Sequence, residues 1–262
     1  MSPRLIEERV RDSKLLQEAW RLLTSDLEVQ ELLRMSNVNA VERLLYNDHG
    51  PVHAAIVAGS ALEIYRILHK HGLRPSSIIH RVVENDEQAR LIILLGAYLH
   101  DIGNSVHREN HELIGALMAG SIVERILRRV IGVGKERLIY RIRSEVQHAI
   151  YATHPGVQAL TIEASIVKVA DSTDMAQGRA RLPYHKGKED IHALSALSIR
   201  SVEIKEGRER PVRIVVRMTD LAGMFQIEKV LLPKIKTSLI KEYIEIIPLV
   251  EHNGRMLKPI QP

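Results

Sequence analysis

Apolar residues recur at helical spacing along roughly the first two thirds of the chain and alternate with polar ones near its end. Leu5, Val10, Leu15, Leu16, Ala19, Leu22 and Leu23 form an irregular stripe that predicts a first amphipathic helix, opened by Ser2 and Pro3. Ser25, Asp26, Leu27 and Glu28 make a capping-box pattern for a second helix to Met35, and residues 37–46 predict a third. Asn47, Asp48, His49, Gly50 and Pro51 are a turn by composition. Ile56, Val57, Ala61, Ile64, Ile67 and Leu68 then mark a helix over 52–71 that closes at Gly72. A short helix within 73–84 leads to Asn85 and Asp86, which cap an apolar helix ending at His100. After a polar loop, 104–110, helices are predicted over 112–130, 135–153 and 161–175, separated by Gly132/Gly134 and by Pro155-Gly156. Beyond Gly178 the pattern changes. Residues 179–190 are basic and loop-like; 199–204 and 212–218 alternate about a turn at Glu206, Gly207 and Arg208, a hairpin signature. A helix over 222–239, kinked at Pro233, and a third strand over 243–250 complete the chain. The pattern predicts a mainly α protein: an all-helical body to about residue 190 and a small α+β (ββαβ) appendage.

Composition narrows the function. The 262 residues are 45% hydrophobic but only 3% aromatic, so Leu, Ile, Val and Ala must fill the core. Without Cys there are no disulfides, thiolate metal sites or Cys nucleophiles. The charged N-terminus lacks a signal-peptide apolar block, and no apolar run approaches the roughly 20 residues that span a bilayer, so a cytoplasmic protein without a membrane partner is expected. A net charge of +5 and a pI near 9.4 suit an anionic ligand. The charge is too mild to argue for nucleic acid, and the scarcity of aromatics weighs against single-strand binding.

The chemistry is concentrated at His100-Asp101, where an apolar helix ends in an imidazole and a carboxylate. A carboxylate at a core boundary is costly unless it is paired or binds a metal. His53, His111, His148, Asp171 and, less directly, His49 occupy helix ends or helices beside apolar neighbours. For any single His, a core or surface role is the default. Together they make a nitrogen and oxygen ligand set suited to divalent Mn, Fe, Co, Ni, Zn or Mg.

His53, His100-Asp101 and Asp171, in the strings His53-Ala54-Ala55-Ile56-Val57, Leu99-His100-Asp101-Ile102-Gly103 and Val169-Ala170-Asp171-Ser172, resemble the H…HD…D pattern of the HD superfamily of metal-dependent phosphohydrolases. The likeness covers roughly residues 45–182. His111 and His148 are similar to the extra pair of its two-metal branch, which includes HD-type dinucleoside polyphosphate hydrolases and cyclic-dinucleotide phosphodiesterases. The resemblance implies an N-terminal helical region at 1–46, an HD-type domain at 47–190 and the appendage at 191–262. It implies that His53, His100 and Asp171 hold one metal and His111 and His148 a second. Asp101 would bridge the two, with His100 and Asp101 as the catalytic dipeptide and a metal-activated hydroxide as nucleophile. The implied substrate is a nucleotide or other small phosphoester. Many relatives carry a lysine where this chain has Asn104, so Arg108, Arg179, Arg181, Lys186 and Lys188 become candidates for phosphate binding, with His49 facing the same cavity. The Gly-Tyr-Pro signature of one cyclic di-GMP phosphodiesterase group is absent. Two rival expectations stand beside hydrolysis: a non-catalytic nucleotide sensor that signals through a homodimer, and RNA binding, which rests only on the pI and the basic loop.

Overall fold

A computed structural model describes residues 2–176, 191–250 and 255–256. Helices α1 (Leu5–Val10), α2 (Lys14–Ser25) and α3 (Leu27–Asn37) open the chain. The expected first helix is therefore two, because Ser13 interrupts it and its Oγ accepts the Leu16 amide as an N-cap. Asp26, rather than Ser25, caps α3 by accepting the Val29 amide. The predicted third helix is a π-helical continuation of α3, Val38–Arg43.

The body is built around α6 (Asp86–Leu99), whose residues Leu91 to Leu99 are all buried. Alternation is absent there because α4 (Pro51–Lys70), α8 (Glu136–Tyr151) and α9 (Ile162–Thr173) pack on it from several sides, with α2 also against it. A Cβ on Gly96 would come within 3.0 Å of the Ala149 methyl, which marks the close approach of α6 and α8. Asn85 caps α6 as its sequence predicts, through the Gln88 amide. The short α5 (Ser76–Ile79) binds the start of α9, where Glu163 accepts the Ser77 amide at 2.9 Å. No helix among the described residues is long and apolar enough to cross a membrane.

Glu145 on α8 and Glu163 on α9 each bury an Oε2 atom without a hydrogen-bond partner. Burial, reinforced by the charge of Glu163, pushes the Glu145 carboxyl from 4.5 up to about 7. A carboxyl raised on folding binds more protons in the native state, so its contribution to stability is complete below pH 4.5 and is lost as pH rises to about 7. Glu145→Gln, which mimics the protonated form, is expected to match the parent at pH 4.5. At pH 8 it should be more stable by about 1 kcal/mol, after allowance for solvent screening of a partly buried group. Urea unfolding at the two pH values measures this, and an equal difference at both would contradict it.

The appendage begins with a helix, Ile191–Leu197, and forms a sheet in the order β1 (Ile199–Glu206), β2 (Val212–Met218), β3 (Ile244–Val250), β4 (Arg255–Met256). The β1–β2 pair is the expected antiparallel hairpin, and β3 is parallel to β2. A parallel neighbour requires a crossover, and the helical stretch 221–236 supplies it in short 3₁₀, α and π segments, with Pro233 near the start of the last, Leu232–Lys236. The appendage is docked on the body. Strands β1 and β2 lie against α4, Lys70 pairs with Glu206 at 2.8 Å, and the crossover lies on α9, where Ser165 Oγ accepts the Leu239 amide.

Candidate metal centre

Three helix ends meet at one point. Gly50 precedes α4 and Pro51 fills its first helical position, which sets His53 in the first turn. His100 closes α6 with helical angles, and Asp101 follows at φ −101°, ψ 0°. Asp171 lies in the last turn of α9, and Asp174 ends that helix.

The Nε2 atoms of His53 and His100 are 3.2 Å apart. Asp101 Oδ2 lies 3.3 Å from each, and Asp171 Oδ1 3.4 Å from each. At metal–ligand distances of about 2.1 Å, neighbouring ligand atoms are separated by roughly 3.0 Å in an octahedron and 3.4 Å in a tetrahedron. Separations of this size suit the ligands of a divalent cation, and two overlapping sets could hold one: His49, His53 and Asp101, and His53, His100 and Asp171. The outer partners fit as well. The Ala97 carbonyl, 2.8 Å from His100 Nδ1, can only accept, so Nδ1 carries a proton and Nε2 is the ligand atom. His53 Nδ1 lies 2.7 Å from Asp174 Oδ2, an equivalent support.

The electrostatics point the same way. Burial alone would push the His100 imidazole down, yet the carboxylates of Asp101 and Asp171 outweigh it and hold it up at about 10. Burial opposes ionisation of both carboxyls, but His100 and His49 keep Asp101 well below its usual range, and Lys234 and His100 do so for Asp171. The cluster attracts positive charge strongly.

On the side toward α7 (His111–Val130), Asp101 Oδ1 accepts the Asn104 amide at 2.9 Å and lies 3.5 Å from His111 Nε2. Gly103 makes this approach feasible, since a Cβ there would fall 2.0 Å from the His111 carbonyl oxygen. Arg108 reaches both Asn104 Oδ1 and His111 Nε2 at 3.1 Å. A guanidinium only donates, so His111 Nε2 accepts from it. His49 Nδ1 is 2.7 Å from Asp101 Oδ2. His49, Asp101, Arg108 and His111 line a cavity of about 750 Å³ together with Asp171, Asp174, Gln226, Lys229 and Lys234.

The structure thus brings His49, His53, His100, Asp101, Arg108, His111 and Asp171 together. It does not bring His148. That residue accepts the Leu160 amide on Nε2 at 3.0 Å and is absent from the cavity wall; burial and nearby Lys168 keep its imidazole pKa below the ordinary value. Helical spacing places His148 on α8 but does not say which neighbour its side chain meets, and in this structure that neighbour is the Leu160 amide. Arg179, Arg181, Lys186 and Lys188 lie outside the described residues. Sequence reasoning missed Asp174, Lys229 and Lys234. Asp174 carried a signal, three residues after Asp171 and hence on the same side of a helical turn. The two lysines carried none, because the crossover offers no motif.

The HD domain family matches residues 53–176, the segment that runs from His53 past Asp174. An uncharacterized protein of Methanocaldococcus jannaschii is 49% identical over 238 residues, which cover 91% of this chain and 90% of that protein. No solved structure matches. With its helical body, its ordered His53, His100-Asp101 and Asp171, and this match, the chain belongs to the HD superfamily of metal-dependent phosphohydrolases.

Proposed function

We propose that the protein hydrolyses a small phosphorylated substrate, a nucleotide by preference, at a single divalent metal held by His53, His100, Asp101 and Asp171. The observation that carries the reading is that His53 and His100 Nε2 stand 3.2 Å apart with Asp101 and Asp171 each 3.3–3.4 Å from both, each imidazole being held from behind. When bound, the metal would lower the pKa of water and neutralise phosphoryl charge. The chain's own groups do the rest. Asp174 and the Ala97 carbonyl hold His53 and His100 with Nε2 turned to the cluster. Asn104 and His49 hold the two oxygens of Asp101. His49 and Arg108 line the cavity where a phosphoryl group would enter. A cavity of about 750 Å³ has room for a nucleotide.

A second metal between Asp101 and His111 would need the place where the Arg108 guanidinium meets His111 Nε2, and His148 is turned to Leu160. On this reading Arg108 supplies by charge what a second cation would supply elsewhere. His148→Ala is accordingly expected to keep its metal and to retain kcat within about threefold, since no transition-state contact is removed. Loss of one metal equivalent together with turnover would restore the two-metal site. A panel of nucleotides and simple phosphoesters, offered to the metal-loaded protein, tests the function itself. Metal binding without release of phosphate from any of them would favour the sensor.

A further inference from the structure

The crossover of the appendage carries a cation into the cluster. Lys234 lies in the segment Leu232–Lys236, its side chain only 15% exposed, and its ammonium pairs with Asp171 Oδ2. Asp171 Oδ1 meanwhile faces both Nε2 atoms. The carboxylate is divided between the ligand cluster and the lysine, so Lys234 sits beside the cluster without displacing it. An ammonium has three N–H donors, and no more than one is needed for Asp171 Oδ2. The segment is pinned to the body, with Ile235 buried and the Ala159 amide donating to the Thr237 carbonyl at 2.9 Å. Lys229, exposed at the cavity wall, belongs to the same stretch.

The cavity needs such charge. Asp101, Glu112, Asp171 and Asp174 line it, and a phosphoryl dianion placed beside four carboxylates is repelled unless cations accompany it. Arg108 brings its charge to the side of Asn104 and His111, and Lys234 is the cationic side chain on the wall that pairs with Asp171. We propose that Lys234, delivered from outside the HD domain, binds the phosphoryl group of the substrate beside the metal ligands, with Lys229 supporting it from the wall. The appendage is then part of the substrate site. This assignment rests on the metal-dependent reading above.

The test is a calorimetric titration of inorganic phosphate into the metal-loaded full chain, with metal content measured on the same samples. K234Q is expected to weaken phosphate binding about tenfold, the worth of one charge-assisted hydrogen bond, with metal content unchanged. K234R should stay within threefold of the parent, and K229Q should lose less than K234Q. Unchanged phosphate affinity in K234Q overturns the proposal. So does a loss of phosphate binding that merely follows loss of metal, which would leave Lys234 as a support for Asp171 alone. A parent protein that takes up no metal would sink the functional reading, and this assignment with it, by a separate measurement. Should K234Q not fold, acylation of Lys234 in the parent decides: phosphate should slow it at least threefold, and no protection counts against the proposal.

Discussion

Asp101→Asn is expected to empty the metal site and to reduce turnover on the order of a thousandfold, because it removes the charge shared by more partners than any other in the cluster. Asp101 Oδ2 lies 2.7 Å from His49 and 3.3 Å from both His53 and His100, and Oδ1 accepts from Asn104. An amide of the same volume keeps the packing. It offers one acceptor where the carboxylate offers two, and no net charge to hold a cation. Metal content and kcat are the measurements, with circular dichroism to show that the fold persists. Full metal content and activity within tenfold of the parent would mean that Asp101 is a structural helix-end residue.

Asp174→Ala should weaken metal binding by about 10- to 100-fold, the usual cost of losing the partner that orients a metal-bound imidazole. His53 is fully enclosed in side-chain terms, and Asp174 is the group 2.7 Å from its Nδ1. Without that acceptor the ring has no fixed tautomer, and Nε2 carries the proton part of the time. Activity should return as metal is raised to saturation, which separates an orienting residue from a ligand. Asp174→Asn keeps an acceptor and should fall between the two. Metal affinity unchanged in Asp174→Ala would remove Asp174 from the site.

The sequence revealed some of this for physical reasons. His53, His100, Asp101 and Asp171 are legible because each lies where an apolar helix starts or stops, and a polar group there needs a partner. The long helices were legible from periodicity, and Asn85 from its capping chemistry. Where short-range signals compete, the reading failed: Ser13 caps α2 in the middle of what looks like one stripe. The neighbour of His148 was not legible because α8 buries Val146, Ala149 and Ile150 around it, and a half-buried His among them looks the same from sequence whether it meets a metal or a backbone amide. Lys234 was invisible for a different reason. Its role depends on how the crossover docks on α9, and nothing local in residues 221–236 specifies that contact.

The most direct measurement is the metal stoichiometry of chelator-treated protein titrated with Mn, Co, Ni, Zn or Mg, read together with phosphate release from a nucleotide panel. One equivalent per chain is expected for at least one of these ions, with hydrolysis that appears and saturates with that equivalent. No uptake of any of them at millimolar concentration, or hydrolysis that continues unchanged in the chelator, would contradict it.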